Sequence, residues 1–303
     1  MSCGLRWMAV CLLTMSACCV AGEPAVPVDI IYDVVYATSG GENLVADLYV
    51  PRPVSDSSSA TDRNPKKRPA MVLVHGGAWS SGSKMVMGRY GNRLAGDGCV
   101  VMAINYRLAP DHKFPAQVDD VRDALVWIAQ NAGRYHIDTD RIGMFGYSAG
   151  GHLCCMIATL EDEDFVTVQP TTQWPSDDPR WAKMPAIAAV VAGGPPCEFR
   201  TLPPLNTGLA YFLGGSRTDV PGVYDAASPV AFASSGDCEI CFIHGEKDFI
   251  VPLDSSRGLY DAQVAAGVAS EFNTIDNQGH MITFVHPKTV EILMGYVKRK
   301  LIQ

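Results

Sequence analysis

The chain has 303 residues, 48% of them hydrophobic and 18% charged, a balance that suits one large domain with a sizeable core. Its formal net charge of −8 leaves no basic footprint for nucleic acid or an anionic lipid surface. The small cluster Lys66, Lys67, Arg68 follows the polar stretch "SDSSSATDRNP" and reads as a solvated loop.

Taken in chain order, the first element is an apolar leader. Arg6 is the only charge before Glu23, and "WMAVCLLTMSACCVAG" ends in small residues, the pattern of a signal peptide over 1–22, cleaved after Gly22. About 14 apolar residues are too few for a membrane-spanning helix, so no span is expected. A second reading stays open, because "MSAC" (15–18) approximates a lipoprotein cleavage site, with Met15 where leucine is usual and Cys18 as the lipidated residue. Export also bears on the cysteines outside the leader. Cys99, Cys154 and Cys155 sit in apolar runs and read as buried free thiols. Cys197, Cys238 and Cys241 lie in or near loops, where an oxidising compartment allows one bridge of open pairing. "CEIC" (238–241) has the spacing of half a zinc site, but there is no second pair, and no metal is expected.

Beyond the leader, residues 28–303 read as a single domain in which strands and helices alternate, the pattern of a mostly parallel twisted sheet of about eight strands with helices on both faces. Residues 28–37 and 43–50 read as a strand pair joined by "TSGGE". "AMVLVHG" (70–76) and "CVVMAINY" (99–106) are continuous apolar runs, as in strands buried on both faces, and the helix-like "KMVMGRYGNRLAGDG" lies between them. In "FPAQVDDVRDALVWIAQNAGRY" (114–135), Val118, Val121, Leu125 and Ile128 recur at helical spacing. "RIGMFGY" (141–147) is the next strand and "AGGHLCCMIATL" (149–160) the next helix. Residues 161–185 and 195–229 are irregular and rich in proline and aromatic residues, and are expected to lie over a site. Between and after them come strands at 186–192, 239–245 and 270–275, with helices near 253–266 and 281–301.

The string "FGYSAGGH" (145–152) carries chemistry. Gly146-Tyr147-Ser148-Ala149-Gly150 matches G-x-S-x-G, a weak signal by itself, yet here it joins an apolar strand to a helix. A sharp turn at that point needs glycine on both sides, pushes the serine side chain above the sheet and sets the helix N-terminus beside any oxyanion that forms. A serine hydroxyl also needs a base, and the base an orienting acid. Asp248 follows the strand 239–245 and His280 follows the strand near 270–275, so all three occupy post-strand loops, where ligands gather in open α/β sheets. Asp254 and His286 are the competing acid and base. His75, His152 and His244 read as structural polar groups, and Arg107 with Asp119 or Asp120 as a brace.

With "HGGAW" (75–79), "NYRLAPDHKFPAQVDDV" (105–121), "GYSAGGH" (146–152), "HGEKDFIVP" (244–252) and "GHMI" (279–282), the chain resembles α/β-hydrolase esterases and lipases of the hormone-sensitive-lipase-like and feruloyl or acetyl-xylan esterase kinds. The resemblance implies an oxyanion hole built from the amides of Gly76, Gly77 and Ala149. It departs from the lipase-like pattern in having Ala78 where a third glycine is usual, and in lacking a helical N-terminal cap. "HGGAW" also fits kynurenine formamidases, an intracellular alternative that the leader opposes; a non-catalytic binding module on the same fold is the other. The expectation is an exported serine esterase acting on short-chain esters, including acyl groups on carbohydrates. It would use Ser148, His280 and Asp248, with Trp79, Trp174 and Trp181 lining the substrate site and no cofactor. The oligomeric state is left open.

Overall fold

The computed structural model describes residues 26–52, 66–202 and 207–303; the leader and Cys18 lie outside them. Strands β1 (Val28–Ser39) and β2 (Glu42–Pro51) form the expected hairpin, turning at Gly40 and Gly41. They are followed by β3 (Arg68–Val74), β4 (Val100–Ile104), β5 (Ile137–Tyr147), β6 (Ala189–Gly193), β7 (Ile240–Gly245) and β8 (Glu271–Ile275). The sheet order is β1-β2-β4-β3-β5-β6-β7-β8. β2 runs antiparallel to β1 and β4, and every other pairing is parallel. The carboxyl ends of β3, β5, β6, β7 and β8 therefore open on one edge.

The helices are α1 (Gly88–Gly96), α2 (Ala116–Gln130), α3 (Ala132–Tyr135), α4 (Ala149–Leu160), α5 (Phe165–Val168), α6 (Thr207–Leu213), α7 (Pro221–Ala226), α8 (Leu253–Ala265), α9 (His280–Val285) and α10 (Pro287–Val297). Alternation along β3 divides the core. Val72 and Val74 point to the layer holding Val121 and Leu125 of α2 and Leu153 of α4. Met71 and Leu73 point to the layer holding Leu94 of α1 and Leu293 and Tyr296 of α10. β3 and β4 carry no polar residue between Ala70 and Val74 or Val100 and Ile104 because neither face of these central strands meets water.

Three expectations change. The terminal helix is two helices, since Pro287 disfavours helical backbone at the preceding residue; His286 is extended (φ −66°, ψ 136°) and caps α10 instead of lying within a helix. Segment 161–185 does not lie over Ser148. It leaves from the far end of α4, roughly 18 Å along the helix axis from the serine. It then packs on α2, where Asp119 accepts Thr172 Oγ1 at 2.6 Å and the Gln173 amide at 2.7 Å. Finally, Cys197, Cys238 and Cys241 are free thiols. Cys197 lies past the carboxyl end of β6, whereas Cys238 precedes β7 at the opposite edge of the sheet. Burial pushes the Cys241 thiol up to about 12.

The brace expected at Arg107 is made with Asp120. The guanidinium Nη2 lies 2.7 Å from Asp120 Oδ1, the Arg107 amide donates to Oδ2 at 2.7 Å, and Nη2 donates to the Ala116 carbonyl at 3.1 Å. Both side chains are buried, and together they tie the loop after β4 to the first turns of α2. Removing either partner strands a buried charge, so Arg107→Ala and Asp120→Ala should each lose about 3–5 kcal/mol in urea unfolding, with the double variant losing less than the sum. Additive losses would contradict a coupled pair.

Candidate active site

Ser148 stands between β5 and α4 with φ 54° and ψ −120°, a conformation that costs a non-glycine residue on the order of 1–3 kcal/mol. The surroundings enforce it. The Ser148 amide donates to Gly193 O at 2.7 Å, and Ser148 O accepts the His152 amide at 2.9 Å. The flanking glycines are required by contact: a Cβ on Gly146 would lie 2.1 Å from Gly150 O, and one on Gly150 would lie 2.1 Å from Val74 O. The turn thus forms only where β3, β5 and α4 meet.

The residues expected to form an oxyanion hole lie at the same edge. A Cβ on Gly76 would sit 3.2 Å from Ser148 Cβ, so its main chain lies against the serine. Gly77 O accepts the amides of Ser80 and Ser81, which folds 77–81 into a turn. Ala149 opens α4, and its N–H has no carbonyl one turn back to donate to. His75 precedes this loop. Its ring stacks on Tyr106 at 4.3 Å, Tyr106 donates to the His75 carbonyl at 3.0 Å, and burial lowers the His75 pKa to about 4.

On the acid–base side, His280 Nδ1 lies 2.5 Å from Asp248 Oδ2, with both side chains buried. Asp254 and His286 are not part of this pair. Burial alone would raise the Asp248 carboxyl, but hydrogen bonds from His244, His280 and the Val251 amide outweigh it and hold the group well below the usual carboxylate range. Gly194 joins the two halves of the site. Its neighbour Gly193 takes the Ser148 amide, and a Cβ on Gly194 would sit 3.0 Å from His280 Cε1. Tyr147, preceding the serine, donates to the His280 carbonyl at 2.5 Å. Serine and imidazole therefore flank one dipeptide at the end of β6.

A cavity of about 360 Å³ opens beside Ser148, walled by Trp79, Phe199, Leu202, Leu209 and Ile250, with Glu198, Asp254 and Ser255 as its polar side. Trp79 is fixed by stacking on Phe212 at 4.3 Å and by donating Nε1–H to His152 Nδ1 at 3.2 Å. Trp174 and Trp181, expected here, are elsewhere. They meet edge to face at 5.0 Å, Arg180 lies 4.0 Å over Trp174 and Arg122 lies 5.3 Å over Trp181. Trp181 lines a separate cavity of about 490 Å³ with Arg122, Phe165 and Met184. Neither tryptophan lines the cavity beside Ser148. Leu202, Leu209 and Ile250 were missed because they lie in irregular chain or a short helix, where no periodicity marks a wall residue. The signal available was their position after strands that end at the catalytic edge.

Comparison with known proteins agrees with this architecture. A family model described as BD-FAE matches residues 59–262. Esterase LipQ of Mycobacterium tuberculosis is 31% identical over 241 residues, covering 78% of this chain and 53% of that protein. The chain spans about half the length of the curated relatives it matches. A truncated carbohydrate esterase from gut microbiota superposes with a TM-score of 0.76 at 22% identity, over 93% of this chain and 99% of the other. Esterase 2 of Thermogutta terrifontis superposes with a TM-score of 0.70 at 24% identity, over 92% and 93%. The fold is that of the α/β-hydrolases.

The buried imidazole at the base of Trp79 provides a test by pH. Burial lowers the His152 pKa to about 4, against a weaker opposing effect of its bond to Ala227 O. The unfolded chain binds a proton at this ring near the ordinary value of about 6.5, so between about pH 6.5 and 4 the unfolded state holds more protons and this contribution falls as pH falls. The stability advantage of the parent over His152→Gln should therefore shrink by up to about 3 kcal/mol between pH 7 and 4. A gap that stays constant over that range in chemical denaturation would contradict a neutral buried ring.

Proposed function

The chain belongs to the BD-FAE family, and on that premise we propose that it is a serine esterase that hydrolyses carboxylic esters through an acyl-enzyme. The observation that carries this reading is the strained Ser148 at the strand-to-helix turn, with the His280–Asp248 pair brought to the same edge. Ser148 Oγ attacks the ester carbonyl carbon and His280 takes its proton. Asp248 occupies Nδ1 of the ring, which leaves Nε2 for the serine. The amides of Gly76, Gly77 and Ala149 receive the developing oxyanion. His280 returns the proton to the leaving alkoxide, and water repeats the sequence on the acyl-enzyme.

The substrate class is a short-chain ester, with acyl groups carried on carbohydrates as the natural form. Support comes from the cavity beside Ser148, small for a ligand pocket and apolar on the Trp79 side, with Glu198, Asp254 and Ser255 facing an alcohol portion. LipQ and the Thermogutta protein bear the name esterase, and the gut-microbiota protein is named a carbohydrate esterase. The apolar leader supports export, either as a free enzyme released by cleavage after Gly22 or held by a lipid at Cys18.

A panel of p-nitrophenyl esters from acetate to decanoate, run on the parent and Ser148→Ala, tests both parts. Acetate to butyrate should exceed decanoate at least about tenfold in kcat/KM, since a chain that outruns the cavity gains no further apolar contact. Ser148→Ala should lose roughly 10³-fold or more in kcat without loss of thermal stability. A decanoate optimum would overturn the substrate reading, and an active alanine variant would overturn the nucleophile.

A further inference from the structure

Asp248 is held from more sides than a serine–histidine–aspartate relay requires. Its Oδ1 accepts the amides of Ile250 at 3.0 Å and Val251 at 2.9 Å. Its Oδ2 accepts His280 Nδ1 at 2.5 Å and faces a second imidazole, His244 Nε2, at 3.3 Å. An ionised carboxylate offers about four acceptor positions, and here each has a donor.

His244 lies in β7, is fully buried, and belongs to no step described above. The hydrogens can be assigned from its neighbours. Nε2 faces two acceptors, the Val251 carbonyl at 3.0 Å and the Asp248 carboxylate, so it carries the proton; Nδ1 lies 2.7 Å from the Ser256 hydroxyl, which can donate to it. One ring thereby ties the end of β7, the loop 246–251 and the first turns of α8 to the acid.

We propose that His244 is a positioning residue for the reaction: its Nε2–H, shared between Val251 O and Asp248 Oδ2, fixes the rotation of the carboxylate so that Oδ2 is aimed at His280 Nδ1. This rests on the reading of Ser148, His280 and Asp248 as the acyl-transfer relay. Without His244 the carboxylate keeps its two backbone amides on Oδ1, but Oδ2 has only His280 to orient it, and a buried acceptor position is left empty. The imidazole that must accept the serine proton then loses its fixed direction. The same loss removes one of the bonds that keep the buried carboxyl ionised. The titratable groups shown to act on Asp248 from the elements packed against it include His244 from β7, His280 from α9 and the Tyr147 hydroxyl from β5.

The test is a set of substitutions at 244 in two backgrounds, parent and Asp248→Asn, assayed with p-nitrophenyl acetate from pH 5 to 9. The amide nitrogen of glutamine reaches the position of Nε2, that of asparagine only the position of Nδ1, and leucine has no donor. His244→Leu and His244→Asn should lower kcat by about 10- to 100-fold with KM changed less than about threefold, while His244→Gln recovers most of kcat. In the Asp248→Asn background the same changes should cost less than about threefold, because the group they position is gone. Equal losses in both backgrounds, or a glutamine variant as slow as asparagine at the parent's thermal midpoint, would overturn the role. If the leucine variant fails to fold, the glutamine–asparagine contrast decides. Ser148→Ala run alongside separates the two claims, since activity there would refute the relay itself whatever His244 does.

Discussion

The backbone of Ser148 is the constraint on which the site depends. A non-glycine residue at φ 54°, ψ −120° persists only when its neighbours leave no alternative. Here Gly146, Gly150 and the main chain of Val74 approach so closely that a single added methyl would collide with backbone. The turn therefore stores the register of the sheet. β3 must end at Val74 beside Gly146, and β6 must present Gly193 to the serine amide, before the hydroxyl can face the cavity and α4 can begin behind it.

The other half of the site comes from the same edge by a different route. Asp248 lies in the loop that leaves β7, and His280 opens the helix that follows β8. Parallel strands with adjacent carboxyl ends bring both to the serine without any contact close in sequence. The acid is then over-determined by four donors, which explains how a buried carboxyl stays ionised where burial alone would favour its neutral form. Trp79 has a comparable arrangement, with Phe212 stacked on its face and His152 on its indole nitrogen, so the cavity wall is as fixed as the residues beneath it.

What was legible in the sequence follows from where periodicity and turn chemistry operate. Continuous apolar runs marked β3 and β4 because both faces are covered, and "TSGGE" marked the hairpin because its glycines take positive φ. That Ser148, Asp248 and His280 lie at one edge of the sheet was readable because each follows a strand. The placement of Trp174 and Trp181 failed for a related reason. Segment 161–185 follows a helix, and a helix returns the chain to the edge away from the site, so aromatic content alone carried no address. The extended backbone at His286 was also encoded in Pro287, a local signal that the longer helical pattern obscured. Whether Arg107 would take Asp119 or Asp120 was not legible, since adjacent residues on a helix differ by a rotation that only packing resolves. In the structure Asp119 turns to Arg122 and Thr172 while Asp120 turns to Arg107.

The central claim, that the strained turn presents Ser148 as the nucleophile, is tested most directly by following a p-nitrophenyl phosphonate that acylating hydrolases cannot turn over. The account predicts one equivalent of p-nitrophenol released per chain, activity lost in step with release, and the phosphonyl group recovered by mass spectrometry on the peptide containing Ser148. Modification of another residue, or full ester hydrolysis by the stoichiometrically modified protein, would contradict it.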